Sequence, residues 1–314
     1  MGVVLQSIFA IILSVEFMIG NLGNGFIALV NFMDWVERRK MSSVDRILTA
    51  LAISRLGLLW LTFINWWKNL LFPDLLMSEN PFRMTYISWT IISHFNNWLA
   101  TSLSIFYFLK IGNFSNFILR YLKWRAKKVV SVSLLVSLVL LLSNIILMNT
   151  HVDIWIHGYK RNMSYISSVK NSAQFSKLLL LPNFMFTFIP FTISLTTFLL
   201  LIFSLWKHLK KMQQNAQGSR DTSTMAHVRA LKNMIAFLLL YICFFLSFLV
   251  QIWKYEIMQV NLIDLFCHAT GTVFPSAHSF VLIMGNRKLR HASVLMLWRL
   301  KCRSKDKILL PSYS

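Results

Sequence analysis

The chain has 314 residues, 56% of them hydrophobic, with 32 Lys and Arg against 11 Asp and Glu and a formal net charge of +21. A mean hydropathy of +0.58 excludes an ordinary soluble domain, and the length excludes several domains, so one polytopic membrane domain is expected. In a soluble protein such a charge points to nucleic acid; in so apolar a chain it reports membrane topology, and no nucleic-acid partner is expected.

Seven apolar segments are bounded by charge or turn residues: Leu5–Phe32, Val44–Trp67, Thr85–Leu109, Val129–Met148, Leu178–Trp206, Asn233–Trp253 and Leu262–Met284. Each reaches the roughly 20 residues that a helix needs to cross a bilayer while satisfying its own backbone groups. The expected fold is an all-α seven-transmembrane bundle over 1–284, followed by a short basic tail over 285–314. The first run lacks a basic flank and a small-residue cleavage site, so it reads as an uncleaved helix. Cys243, Cys267 and Cys302 give no legible disulfide framework. Counting Lys and Arg between segments puts 24 on the side that includes the tail and 7 on the side of the N-terminus. The positive-inside rule then sets the N-terminus outside and the C-terminus in the cytoplasm.

The first segment holds Gly20, Gly23 and Asn24. Small residues let helices approach closely and an asparagine bonds across the interface, so packing alone accounts for them. Glu16 must face the bundle or its outer end. The second segment carries Arg55, the sharpest anomaly in the chain. An arginine at mid-helix costs at least about 2.5 kcal/mol on insertion scales, so it needs polar partners in the bundle, and Asn24 and the Ser276–Ser279 region are the candidates. An interhelical clamp is favoured over a ligand contact.

In the third segment Trp89, Ser93 and Asn97 share one helix face, with His94 and Asn96 also at bilayer depth, where polar groups need partners. An aromatic stripe is by default packing; mixed with polar groups in the outer half it also suits a ligand pocket. Past Tyr107, Lys110 opens a basic stretch that contains Lys123 and Arg125. The serines of segment four are small-polar packing residues. Asn162-Met163-Ser164 is an N-glycosylation sequon on a loop assigned outside, whereas Asn113-Phe114-Ser115 lies inside. His151 and His157 near Asp153 lack a further ligand at metal spacing, so neither metal nor cofactor is expected.

Segment five contains Phe186 and Pro190, ends with Leu201, Ser204 and Leu205, and leads through His208 and Lys211 into a loop with His227 and Lys232. Segment six sets Tyr241, Phe245 and Phe248 on one face. Segment seven begins with Asp264 and His268 one turn apart and continues to Pro275, Ser276, His278 and Ser279. The tail reads as a short interfacial helix with Cys302 as a candidate palmitoylation site.

Trp98–Ser115, read WLATSLSIFYFLKIGNFS, resembles the third transmembrane helix and second cytoplasmic loop of the type 2 (bitter) taste receptors, a family of G-protein-coupled receptors. The resemblance extends to Gly20–Asn24 with Phe26-Ile27, to Arg55 at the end of Leu51-Ala52-Ile53-Ser54, to the LxxSL pattern at Leu201–Leu205, to Ala226–Lys232, to PSxHS at Pro275–Ser279 and to Gly285–Arg290. These receptors carry an arginine where rhodopsin-like receptors carry an aspartate, and this chain lacks the DRY, NPxxY and CWxP motifs of the latter.

The resemblance implies a receptor that binds small, mostly apolar bitter agonists through Trp66, Trp89, Ser93, His94, Asn97, Phe186, Tyr241, Phe245, Phe248, Asp264 and His268. It implies an activation and packing network of Asn24, Arg55, Tyr107, Lys110, Leu201, Ser204, Leu205, Pro275, His278 and Ser279. A heterotrimeric G protein of the gustducin class would meet Lys123, Arg125, His208, Lys211, His227 and Lys232. Many members carry Asn where this chain has Ser93, so a ligand preference does not transfer. No HExxH, paired intramembrane aspartates, phosphate loop or nucleophile elbow supports an enzyme. A transporter is the rival class, but no internal repeat is found. The nearer alternative is a chemosensory receptor for stimuli other than taste.

Overall fold

The computed structural model describes residues 2–71, 79–112, 117–161, 167–215, 222–253 and 260–309. Among them the chain forms nine helices: α1 (Gly2–Arg38), α2 (Ser43–Leu71), α3 (Glu79–Ile111), α4 (Phe117–Trp124), α5 (Ala126–Arg161), α6 (Ser167–Asn215), α7 (Thr222–Trp253), α8 (Val260–Gly285) and α9 (Arg287–Leu309). The seven long helices α1–α3 and α5–α8 each contain one expected apolar segment and run past it. An apolar count registers only the hydrocarbon-buried part, whereas backbone hydrogen bonds continue into the polar flanks. Two loops are shorter than expected for that reason. The stretch Lys207–Lys232 is mostly helix, since α6 continues to Asn215 and α7 starts at Thr222. Likewise α5 reaches Arg161 and α6 begins at Ser167, and Asn162 lies outside the described residues. The basic stretch after Lys110 contains the short helix α4.

Local chemistry sets several ends. The Asp45 backbone N–H donates to Ser42 Oγ at 3.1 Å, and Ser42 Oγ donates to Asp45 Oδ2 at 2.8 Å, a reciprocal cap at the start of α2. Asn286 Oδ1 accepts the backbone N–H groups of Lys288 and Leu289 at 2.9 and 3.3 Å and so starts α9. The tail forms the helix α9, which buries Leu289 and exposes Val294, Leu295, Leu297 and Trp298.

The helices close into a ring, α1 against α2, α2 against α3, α3 against α5, α5 against α6, α6 against α7, α7 against α8 and α8 back against α1, with α3 also touching α6. Outward faces are apolar. On α1 the exposed residues Ile11, Val15, Met18, Leu22 and Leu29 follow the helical repeat, and on α5 so do Leu135, Val139, Leu142 and Ile146. Such a surface is stable only against lipid. Helices α1, α2, α5, α6 and α7 are long and apolar enough to cross a membrane by length and composition. Helix α3 is not among those five because it spends its positions on buried polar groups: Thr90, His94, Asn96, Asn97, Thr101, Ser102 and Ser104. Helix α8, also outside the five, buries Thr272, Ser276, His278 and Ser279.

The seam between α1 and α8 depends on glycine. A Cβ at Gly20 would lie 2.6 Å from Leu59 Cδ1 and collide with Ser276 Oγ; one at Gly23 would lie 3.0 Å from Ser279 Cβ and collide with its Oγ. Asn24 Nδ2 donates to the carbonyls of Gly20 at 2.8 Å and Pro275 at 3.1 Å, and Ser276 Oγ donates to the Glu16 carbonyl at 3.0 Å. Gly23→Leu is therefore expected to separate the two helices and cost on the order of 1–3 kcal/mol or more. Gly25→Ala, which has open space around it, should be neutral. Melting temperatures of the two purified variants check the pair.

Candidate ligand site and buried polar core

Arg55 is fully buried on α2. Its Nε donates to Asn96 Oδ1 on α3 at 3.3 Å, its Nη2 bonds His278 Nδ1 on α8, and its Cζ stands 5.4 Å from the Phe274 ring centre. Of the expected partners, Asn24 is corrected, since it ties α1 to Pro275; the Ser276–Ser279 region does supply one, through His278 rather than a serine, and Ser279 Oγ donates instead to the Ser276 carbonyl at 2.6 Å. The reason is reach. Two serines at the glycine seam are occupied by α1, while His278 lies on the side of α8 that faces α2. Arg55 Nη1 has no hydrogen-bond partner among the described residues.

From this node a series of aromatic rings climbs through the bundle. Phe274 lies 5.5 Å from His278 and 5.3 Å from Tyr241; Tyr241 lies 5.2 Å from Phe191. Phe191 stacks on Phe245 at 3.9 Å and 7°. Phe245 lies 5.2 Å from Phe184, Phe184 lies 6.1 Å from Phe248, and Phe248 lies 6.2 Å from Trp89. Apart from the closer Phe191–Phe245 stack, the spacings are those of ring pairs that attract beyond area burial. The structure therefore brings Trp89, Tyr241, Phe245 and Phe248 together and adds Phe184, Phe191 and Phe274. Phe184, Phe188 and Phe191 share one face of α6, a pattern visible in the sequence. Phe186, half-buried, takes no part in the series.

The other candidates fall elsewhere. Ser93 is half-buried and Asn97 buried. His94 is buried towards α5, close to the Ser137 backbone, with Trp98 at 6.0 Å. Trp66 lines a crevice between α1, α2 and α8 with Leu13, Phe17, Leu59, Thr62, Phe63 and Thr272; at about 10 Å³ it holds one water at most. The side chains of Asp264, His268, His208, Lys211 and His227 are outside those described. Toward the C-terminal end of α6, Leu201 and Leu205 are buried and Ser204 half-buried; on α3, Tyr107 packs on the same core and Lys110 is exposed. Lys123 Nζ donates to the Gly112 carbonyl at 2.9 Å, Arg125 lies over Tyr121 at 5.0 Å, and Lys232 is exposed.

Two polar groupings carried no clear signal in the sequence. Thr101 Oγ1 lies 2.8 Å from Ser194 Oγ and donates to the Pro190 carbonyl at 3.0 Å, joining α3 to the α6 proline. At the start of α9 Lys288 Nζ donates to Asn31 Oδ1 at 3.0 Å and Asp34 Oδ2 at 2.7 Å, and stands 3.5 Å from Asp45 Oδ2.

A closed ring of seven long helices, apolar outside and polar and aromatic within, is the architecture of a multi-pass membrane protein. The family model described as taste receptor protein (TAS2R) matches residues 1–301. The chain is 54% identical over 306 residues to taste receptor type 2 member 125 of Rattus norvegicus, covering 98% of each chain. It is 55% identical over 306 residues to taste receptor type 2 member 14 of Homo sapiens, covering 98% of this chain and 96% of that one. It is 53% identical over 307 residues to taste receptor type 2 member 113 of Rattus norvegicus, covering 98% and 99%. The chain belongs to the type 2 taste receptor family, and it is a bitter taste receptor of the plasma membrane.

His278→Ala leaves the buried guanidinium without its α8 partner and is expected to cost about 1.5–3 kcal/mol, the range for a hydrogen bond to a charged group. Asn96→Ala, which removes the longer bond, should cost less. Thermal unfolding of the purified receptor, followed by tryptophan fluorescence, ranks the two.

Proposed function

We propose that the receptor takes a small, mostly apolar bitter compound in the outer half of the bundle and signals to a heterotrimeric G protein of the gustducin class at the inner ends of α3, α6 and α7. The observation that carries this reading is the unbroken ring series from Trp89 to the Arg55–His278 node. An apolar ligand that inserts against Trp89, Ser93, Phe245 and Phe248, with Trp66, His94, Asn97, Phe186, Asp264 and His268 around the same outer half, shifts the lowest rings. Those rings pack against a buried cation one of whose donors has no partner among the described residues. Repacking there changes the energy balance between bundle states, and a ligand that binds one state better raises its population.

The N-terminus is read as external on the charge asymmetry of 24 against 7 basic residues, each worth about 1 kcal/mol beside an anionic leaflet. Lys123, Arg125, His208, Lys211, His227 and Lys232 then face the cytoplasm beside Lys110, and Asn162 carries the glycan. Arg55, with Asn24, Tyr107, Leu201, Ser204, Leu205, Pro275, His278 and Ser279, serves packing and activation rather than ligand contact.

The test is agonist-evoked calcium release in cells that co-express a gustducin-type Gα subunit, with a panel of bitter compounds. Trp89→Ala and Phe245→Ala are expected to raise the half-maximal agonist concentration at least about tenfold, a loss of roughly 1.4 kcal/mol, at matched surface expression. An unchanged concentration response in both variants rejects the ring column as the ligand site.

A further inference from the structure

Where α1 ends and α2 begins, Trp35, Arg39, Lys40, Met41 and Arg46 line a cup of about 320 Å³, at the low end of ligand-sized pockets. Three of the five are cations. Two acids nearby are already engaged, Asp34 with Arg38 at 2.8 Å and Lys288 at 2.7 Å, and Asp45 with Ser42 at 2.8 Å and Lys288 at 3.5 Å; a third, Glu37, lies two residues before Arg39 in the chain. Among the described residues no carboxylate pairs with Arg39, Lys40 or Arg46.

Arg39 also stands in the left-handed region, φ 52°, where it closes α1 with its N–H donating to the Trp35 carbonyl at 2.8 Å. Helices usually end this way on glycine. An arginine there accepts strain and brings a guanidinium to the cup. Trp35 beside it is 48% exposed, and an exposed indole at the end of a membrane helix belongs at the boundary between acyl chains and headgroups. Cations ranged over a Trp and Met surface match a phosphate tethered to acyl chains. The guanidinium groups fork the phosphate oxygens, while the indole and thioether meet the glycerol and first methylenes. An acidic peptide or soluble anion makes no use of that apolar part, and three cations favour more than one phosphate.

We propose that this cup binds the headgroup of a phosphorylated inositol lipid, with Arg39, Lys40 and Arg46 on its phosphates and Trp35 and Met41 against its apolar base. Its assignment to the cytoplasmic leaflet rests on the topology proposed above; the binding itself does not.

The full-length receptor in detergent is titrated with a short-chain phosphatidylinositol bisphosphate, and separately with inositol trisphosphate, which is the headgroup without tails. Arg39→Gln/Arg46→Gln is expected to weaken lipid binding about thirtyfold. Lys127→Gln/Lys128→Gln, on the exposed start of α5, should change it by less than about threefold. Trp35→Ala should weaken the lipid and leave the headgroup unaffected. Equal loss in both double variants means a diffuse basic surface, and equal affinity for the tailless headgroup means a soluble-phosphate site; either overturns the proposal. Because binding is measured in detergent, lipid binding that persists in a receptor silent to every bitter compound rejects the agonist reading alone. An N-terminal tag found inside cells rejects the leaflet alone.

Discussion

A guanidinium with no exposed surface, held midway along α2, constrains much of the bundle around it. Moving such a charge out of water costs far more than any one hydrogen bond returns, so it persists only where several elements converge on it. Here α2 supplies the cation, α3 the Asn96 carbonyl oxygen, and α8 both the His278 ring and the face of Phe274. Of the seven long helices, the two outside the strongly apolar five, α3 and α8, are the ones that lend these partners. Their polarity is tolerable because the groups responsible are turned inward and bonded, and the five apolar helices shield them from lipid.

That convergence requires close approach, and the α1–α8 seam permits it. With hydrogen in place of side chains at Gly20 and Gly23, the serines of α8 lie against the α1 backbone, and Asn24 reaches the Pro275 carbonyl. A carbonyl near a helix proline is a natural acceptor, because the ring disturbs the regular ladder there. The seam and the cation site are neighbours on α8: Ser276 and Ser279 face α1 while His278 faces α2. Three residues of one motif thus serve two interfaces.

Above the node the core changes from polar to aromatic. Rings on α3, α6, α7 and α8 stack in contact from Trp89 down to Phe274, and large flat side chains of this kind change packing in discrete steps rather than smoothly. Below the node, Lys288 of α9 bridges Asn31, Asp34 and Asp45, which ties the tail helix to the first two helices. That same bridge engages Asp34 and Asp45, and no carboxylate pairs with Arg39, Lys40 or Arg46 among the described residues.

The seven helices, the need for Arg55 to find partners inside, the small residues of α1 and the shared face of Tyr241, Phe245 and Phe248 were all readable from the chain. Each follows from local rules: hydrocarbon thickness, the cost of a buried charge and the 3.6-residue repeat. Which groups answer Arg55 was not readable, because Asn24, Asn96, Ser276, His278 and Ser279 are all suitable in chemistry and only the rotation of α3 and α8 about their axes selects Asn96 and His278. The same holds for Phe191, which stacks on Phe245, as against Phe186, which joins no ring pair among the described residues. Periodicity says which residues share a face, but the direction of that face is decided by the packing of all seven helices together, a property no single segment encodes.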